Sequence, residues 1–150
     1  MSGFSVNLLT GLAALLQTAG LGTWNTSGVY TTTQTGIVLG TIPQGPDRII
    51  TLTAYGVSDD PSLSTSVVGV QVRCRWGGAD PRLVEDLSDS IYMFLHGKTD
   101  FTVGTGAAAV RVVQCLRQSG PVSLGQDQNL RWSTSSNFYL TAHRPSTNRQ

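Results

Sequence analysis

The chain has 150 residues, a length typical of one domain with a substantial core. Its hydrophobic fraction is 39%, and no apolar run approaches the roughly 20 residues that cross a bilayer, which excludes a membrane-spanning helix. The net charge of +1 excludes strong attraction of the whole molecule to nucleic acid or anionic lipid. The N-terminus lacks the basic start of a signal peptide, so we expect assembly in a cytoplasm.

The first predicted element is an amphipathic helix over residues 6–19. Its apolar side chains recur at the three-and-four spacing of one helical stripe: Leu8, Leu12, Leu15, Leu16 and Ala19. Ser5 is placed to cap this helix and Gly20 to end it.

Three extended segments follow the helix. Residues 29–33 are a candidate strand in a Thr-rich stretch, and residues 36–40 form a brief buried strand. Residues 48–55 alternate with the period of two that a strand shows when one face contacts a core. The polar turn at residues 58–62 ends this strand.

The strand predicted over residues 67–76 shows the clearest alternation. Its apolar side chains share one face: Val68, Val70, Val72, Cys74 and Trp76. Gln71, Arg73 and Arg75 occupy the other face, so we expect one face to be buried and the other to be charged.

A second helix is predicted to begin at Asp80, whose side chain caps it. Pro81 takes the first helical position, acidic residues follow in the early turns, and Gly97 ends the helix. The predicted buried stripe is Leu83, Leu87, Ile91, Phe94 and Leu95.

Strands are predicted at residues 99–103 and 109–118. Strict alternation in the second strand places Val110, Val112 and Leu116 on one face, and Arg111, Val113, Cys115 and Arg117 on the other. By this parity Cys74 lies on the core face and Cys115 on the arginine face, which argues against a disulfide.

The rest of the chain is predicted to hold one more strand. A long polar connection at residues 119–129 leads to a strand at residues 130–143, which is kinked near residues 135–136. Residues 145–150 are expected to be a mobile tail.

The order helix, strands, helix, strands predicts an α+β fold. Most connections between strands have hairpin length, and neither a repeat nor a linker divides the chain. We therefore expect a single domain over residues 1–150, with one mainly antiparallel or mixed β-sheet covered by two α-helices.

No residue pattern indicates catalysis or a metal. His96 stands where an imidazolium suits a helix C-terminus, and two distant histidines with two cysteines are too few for a zinc site. Gly104-Thr105-Gly106 lacks the third glycine and the lysine of a phosphate loop. We expect no enzymatic activity, no cofactor and no metal.

Charged residues give the clearest functional indication. Four arginines are predicted to share a strand face: Arg73, Arg75, Arg111 and Arg117. Arginine is costly to bury unpaired, so this face should meet solvent, phosphate or a carboxylate partner. Its predicted neighbours are aliphatic and thiol side chains without the aromatic residues of a nucleic-acid stacking platform, so phosphate is the weaker candidate.

A carboxylate partner is available in the chain itself. Asp86 and Asp89 lie on the predicted second helix, away from the arginines. Opposite charges on separate surfaces suit a head-to-tail contact between identical chains, which closes into a ring. The sequence supports a solvated arginine face equally well.

The polar connection contains a second interface candidate. Val122 and Leu124 are apolar residues at strand spacing inside it. Residues 120–129 are therefore predicted to be an interface arm that is ordered by a neighbouring copy, with a solvated hairpin loop as the alternative.

Short segments spread in order over nearly the whole chain carry a family resemblance. They are Pro46-Asp47-Arg48, Tyr55 to Leu63, Val70 to Arg73, Asp80-Pro81-Arg82, Leu95-His96-Gly97, Leu124 to Asp127, Arg131-Trp132, Asn137-Phe138-Tyr139 and His143-Arg144-Pro145. Together they resemble the minor capsid or tail-terminator proteins of actinobacterial siphophages, and they include no catalytic signature.

The resemblance implies a fold similar to lambda-type tail terminators, with six copies in a ring at the head–tail junction of the virion. One ring face would stop growth of the tail tube by contacting the major tail tube protein, and the other would receive the head–tail connector or head-completion protein. Duplex DNA would pass through the ring without sequence recognition. The alternatives are a head-completion or connector protein of the same neck, and a small nucleic-acid-binding module that uses the arginine face.

Overall fold

A computed structural model describes residues 2–149. In chain order the elements are α1 (Phe4–Thr18), β1 (Thr23–Trp24), β2 (Gly36–Leu39), β3 (Ile49–Asp59), β4 (Thr65–Gly77), α2 (Arg82–Leu95), β5 (Thr99–Val103), β6 (Val110–Gln126) and β7 (Arg131–His143). A short 3-10 turn, Gly106–Ala108, joins β5 to β6. Neither described helix has the length and apolar character needed to cross a membrane.

All seven strands belong to one sheet with the order β1-β2-β3-β4-β7-β6-β5. The pairs β1–β2 and β2–β3 are parallel, and every other neighbouring pair is antiparallel. The predicted α+β class and the mixed sheet are therefore confirmed. That residues 1–150 form a single domain stays a prediction.

The core lies between the helices and one face of the sheet. That face carries alternate residues of the central strands, among them Leu52, Val70 and Leu140, and both helices contribute to the same buried cluster. Helix α1 contacts β1, β2, β3, β5 and β6, whereas α2 contacts β4, β6 and β7. The opposite face of the sheet is called the open face.

Helix α1 begins earlier than predicted. Its N-cap is Gly3, in an extended conformation, so the predicted cap at Ser5 is wrong and Ser5 lies inside the helix. The buried residues of the helix are Leu8, Leu9, Gly11, Leu12, Ala13 and Leu16. Ala19, predicted to be buried, is exposed.

The prediction of a strand at residues 29–33 is wrong. Residues 29–31 have no regular structure and residues 32–33 form a turn, and the hydroxyl of Tyr30 donates a hydrogen bond to the backbone carbonyl of Ile37. The strand that pairs with β2 is instead β1, which consists of Thr23 and Trp24. Two residues are too few to give a recognisable sequence pattern. The brief strand predicted at residues 36–40 is confirmed as β2.

Helix α2 is present as predicted, but it begins at Arg82 with Pro81 as its N-cap and ends at Leu95, and Phe94 is only partly buried. Asp80 lies one residue before the N-cap, and its carboxylate accepts the backbone N–H of Arg82 at 2.9 Å. The buried stripe begins at Val84 rather than Leu83, which is 40% exposed. Ser88 is also buried, and its hydroxyl is hydrogen-bonded to that of Thr134 on β7 at 2.5 Å.

The alternation predicted for β6 fails at a β-bulge. The register with β7 shifts between Val112 and Gln114, so Val113 is an extra residue that reverses the parity of the residues after it. Cys115 consequently lies in the core, fully buried, and its predicted place on the arginine face is wrong. Cys74 is in the core as predicted, and both thiols are free.

The polar connection predicted at residues 119–129 is mostly strand. β6 continues to Gln126 and pairs with β7, and only residues 127–130 form the turn. Register breaks flank Val122, and Gly120 has a φ of 91° with the position of a Cβ only 2.6 Å from the Ser135 carbonyl. The predicted kink in β7 near residues 135–136 stays a prediction, and β7 pairs with β4 from Arg131 to His143 without a register break.

The C-terminal segment contacts the body of the protein through Arg149. Its guanidinium donates to the Ser66 hydroxyl at 2.7 Å and lies 3.6 Å from the Asp59 carboxylate. Hydrogen bonding from Ser66, with the nearby arginine, lowers the pKa of Asp59. Motion of this tail stays a prediction, and Gln150 lies outside the described residues.

Candidate assembly surfaces

Arg75, a predicted interface residue, is buried within its own chain. Its side chain is on the open face of β4, where only 4% of the residue is exposed. The Nε donates to the carbonyl of Asp47 at 3.0 Å, and an Nη donates to the carbonyl of Pro46 at 2.7 Å. The expectation that this position forms part of a charged solvent-facing surface is therefore wrong.

Arg131 supports the same connection between β2 and β3. It is 5% exposed, its Nε donates to the Asp127 carboxylate at 2.9 Å, and its Nη1 donates to the carbonyl of Gln44. Together Arg75 and Arg131 satisfy carbonyl groups of residues 44–47 and hold this segment against the open face. This role of Arg131 was not predicted from the sequence. The spacing of four residues between Asp127 and Arg131 indicates only their ion pair and not the contact with Gln44.

The other predicted arginines are dispersed. Arg111 forms an exposed ion pair with Asp100 on the adjacent strand β5. Arg117 lies on the side of the helices, because the bulge at Val113 reverses the parity of β6. Arg73 alone keeps a partly exposed place on the open face, and its Nε has no hydrogen-bond partner among the described residues. The four arginines therefore do not form one face.

Arg117 belongs to a group that we call the basic aromatic cluster: Tyr92, Phe94, His96, Lys98 and Arg117. The Arg117 guanidinium lies 4.0 Å from the centre of the Tyr92 ring, and the Tyr92 and His96 rings stack at 4.7 Å. The Lys98 ammonium lies 5.0 Å from the Phe94 ring. The expectation that Arg117 has only aliphatic and thiol neighbours is wrong.

The cluster is not built to stack bases. Two of its rings are covered by cations of the same chain, which are attracted to the ring faces, so those faces are occupied. The His96 Nδ1 accepts the backbone N–H of Arg117 at 3.0 Å, which fixes the histidine at the end of α2. The cluster therefore presents fixed positive charge at the C-terminal end of α2.

Acidic residues occupy the earlier turns of the same helix. Asp86 and Asp89 are exposed, Glu85 is partly exposed, and none of the three has an ion-pair partner within residues 2–149. These three residues are called the acidic helix surface. Asp86 and His96 are ten positions apart, which corresponds to about 15 Å along a helix. Negative charge near the start and positive charge near the end also suit the helix dipole.

Val122 and Leu124 lie on the distal half of β6, and their side chains are 59% and 48% exposed. Pairing with β7 orders the backbone of this segment within its own chain, so a neighbouring copy is not needed to form it. The exposure of both side chains shows that the chain itself does not bury them. Their role in a subunit interface stays a prediction.

The open face carries a row of polar side chains across the central strands. The Tyr55 ring lies over Gly69, and its hydroxyl donates to the Asn137 side-chain oxygen at 2.9 Å. The Asn137 amide donates to the Ser119 hydroxyl at 3.2 Å. Partial burial, with Tyr139 nearby, raises the pKa of Tyr55. This row is uncharged near neutral pH.

No group of three or more metal-ligating side chains is assembled anywhere in residues 2–149. Burial raises the pKa of the thiols of Cys74 and Cys115 to about 12. A thiol with so high a pKa stays protonated near neutral pH and is a poor nucleophile.

Comparison with protein families identifies a match over most of the chain. Residues 15–144 match the bacteriophage tail terminator protein family, so the chain belongs to this family. The predicted resemblance to tail terminators is therefore confirmed. The family is one of structural phage tail proteins, which places the chain in the tail of a virion. No curated protein matches the chain by sequence.

Proposed function

We propose that this protein caps the phage tail tube as a closed ring of identical copies and forms the interface to the head–tail connector. The observation that carries the proposal, beside the family match, is the separation of two unpaired charged surfaces in one chain. The acidic helix surface and the basic aromatic cluster suit a head-to-tail contact, and such contacts close into a ring when the rotation between copies allows.

The cations that could pair with the acidic helix surface differ from those predicted from the sequence. Arg75 is engaged by backbone carbonyls and Arg111 by Asp100, so neither has a free guanidinium. Arg117 and Lys98 take their place, with Arg73 as a further candidate on the open face. Asp86 and Asp89 of one copy would therefore meet Arg117 and Lys98 of the next.

The remaining features follow the resemblance to lambda-type terminators. They are a ring of six copies at the head–tail junction, two helices that cover the sheet, and a lumen through which duplex DNA passes. The open face suits the lumen, because its central row consists of hydroxyl and amide groups without unpaired acidic side chains. Such a surface neither repels the DNA backbone strongly nor holds it by many ion pairs.

A phage that lacks the protein tests this function. We expect tail tubes of uncontrolled length that fail to join heads, and restoration of both properties when the protein is supplied from a plasmid. Electron microscopy of lysates measures tube length and joining. Tubes of normal length in the absence of the protein would contradict the capping function and assign the protein to the head side of the neck.

A further inference from the structure

Two strands leave one edge unpaired over more than half of their length. β2 pairs with β3 only as far as Leu52, so residues 53–59 have no neighbouring strand on that side within the described chain. β5 and residues 97–98 pair with β6 only as far as Cys115. Beyond Cys115, the side chain of His96 accepts the backbone N–H of Arg117. Residues 118–126 are therefore free along the other edge of the sheet. These segments are called the β3 edge and the β6 edge.

Both edges begin at the same level of the sheet. Thr53 pairs with Gln71, Gln71 with Asn137, and Asn137 with Ser119, which forms one row across four strands. From this row the β3 edge extends in one direction along the strands and the β6 edge in the other. The two free edges thus lie at diagonally opposite corners of the sheet.

The strand directions allow these edges to pair between copies. Three successive antiparallel pairings separate β3 from β6, so the two strands run in opposite directions. A rotation about the ring axis preserves the sense in which each strand runs along that axis. The β6 edge of one copy would then be antiparallel to the β3 edge of the next.

The offset between the edges matches the geometry of a closed sheet. To align the two edges, the next copy must shift by about six residues along the strands, which is about 20 Å. The four strands from β3 to β6 are together about 19 Å wide. This ratio corresponds to a strand tilt of about 45°, at the upper end of the range of about 35–45° found in closed barrels. The same tilt that closes a barrel therefore brings the two edges together.

Exposed apolar side chains on both edges favour pairing with another strand. Neither contains Lys or Arg, the residues that commonly protect a strand edge from other chains. Each carries exposed apolar side chains, Tyr55 and Val57 on the β3 edge and Val122 and Leu124 on the β6 edge. Pro121 has no N–H, and register breaks lie on both sides of Val122, so a ladder here would hold only a few hydrogen bonds. Contact between the apolar side chains must therefore contribute much of the stability.

We infer that the β6 edge of one copy pairs with the β3 edge of the next copy, which joins neighbouring sheets into one continuous sheet. The inference rests on the proposed ring and specifies its contact between copies. It is compatible with the charge contact of α2, because the helices and the strand edges are different surfaces of the domain.

Hydrogen–deuterium exchange of the full-length wild-type protein tests the pairing. The exchange rates of peptides that cover residues 53–59 and 118–126 are compared below and above the concentration at which rings form. We expect exchange in both segments to slow by at least about tenfold in the ring, because a paired amide exchanges only after local opening. Rings in which both segments exchange as fast as in the monomer would overturn the pairing and leave the ring function intact.

Two other outcomes separate the pairing from the ring. Protected edges in open filaments would support the pairing and contradict the closed ring. If copies do not associate at any concentration, even with tail tubes present, both the pairing and the ring are wrong.

Charged substitutions at the edges provide a second test. Val57→Lys and Val122→Lys each place an unpaired ammonium in the proposed contact, and each should raise the concentration needed for half-assembly by at least about tenfold. The matched control is Val29→Lys, which changes a 70% exposed valine outside both edges and should leave assembly unchanged. Equal assembly of all three variants would overturn the pairing.

Discussion

At the scale of single residues, the arginines of this protein have distinct roles that the residue type alone does not distinguish. Arg75 and Arg131 are almost completely buried and bind carbonyl groups of a connection. Arg117 lies on an aromatic ring, and Arg111 pairs with an acid in solvent. A buried guanidinium must have its donors satisfied, whereas an exposed pair contributes little to stability.

Replacement of Arg75 tests its role inside the chain. Arg75→Ala leaves carbonyls of residues 46 and 47 without their donor and removes a packed side chain, so we expect a loss of about 2–4 kcal/mol in the free energy of unfolding. Urea denaturation measures this change. Arg82→Ala is the control, since its side chain is 86% exposed, and it should change the stability far less. Equal stability of the two variants would contradict the assignment of Arg75 to the interior.

The two thiols give a prediction about pH. Burial raises the pKa of Cys74 and of Cys115 to about 12, so both stay protonated in the folded chain near neutral pH. In the unfolded chain each thiol ionises with a pKa of about 8.5. Unfolding therefore releases protons above that pH, and the thiols' contribution to stability is full below pH about 8.5 and decreases as the pH rises towards 12.

Thiol labelling with a disulfide reagent at pH 8 checks this account. We expect both cysteines to react only as fast as the protein unfolds, and to react quickly in denaturant. The single variants Cys74→Ser and Cys115→Ser identify which thiol reacts. Rapid labelling of Cys115 in the native protein would contradict its place in the core.

At the scale of elements, the packing of α1 depends on one glycine. Gly11 faces β5, and a Cβ at this position would lie 2.7 Å from the Val103 Cβ and 2.8 Å from the backbone nitrogen of Gly104. Since backbone atoms cannot turn aside as a flexible side chain can, the helix itself would have to move. The close approach of α1 to β5 therefore requires glycine.

We expect Gly11→Ala to destabilise the fold by about 1–3 kcal/mol, although alanine is the better helix former by about 1 kcal/mol. Thermal unfolding of the monomer measures the change. Gly56→Ala is the matched control, because no atom lies within 4 Å of its Cβ position and its φ is not positive. A stability gain from Gly11→Ala would show that α1 does not pack closely on β5.

Most elements could be predicted because their residues keep one period over many positions. The period of 3.6 identified both helices, and the period of two identified β3 and β4. The bulge at Val113 could not be predicted, since one inserted residue changes the parity of Cys115 and Arg117 without changing composition. The basic aromatic cluster was missed for the same reason, because it needs Arg117 on the side of α2. The acidic helix surface was predicted, since it lies within one regular helix.

At the scale of the whole molecule, opposite charges are divided between two surfaces that form no ion pair with each other within residues 2–149. The acidic helix surface has no described ion pair, and Lys98 and Arg117 contact rings rather than acids. A second copy could therefore form a favourable electrostatic contact between its acidic helix surface and the basic aromatic cluster of the first copy. We expect added salt to weaken this attraction between copies, because both surfaces are exposed and salt screens exposed charges.

Charge reversal tests the contact between copies. In the proposed contact, Asp86→Arg combined with Asp89→Arg would place positive charges opposite Arg117 and Lys98 of the next copy, so we expect weaker ring formation with an unchanged monomer fold. Sedimentation velocity measures the distribution between monomer and ring. Adding Lys98→Glu and Arg117→Glu to the same chain should restore assembly. Assembly of the double reversal at wild-type concentrations would contradict the contact.

The central claim is that this tail terminator family member works as a closed ring on the tail tube. Electron microscopy of the purified protein, alone and mixed with tail tubes that lack it, tests this most directly. The account predicts one ring of six copies at a single end of each tube and no further growth of a capped tube when tube subunits are added. Protein that stays monomeric and leaves the tube ends bare and growing would contradict it.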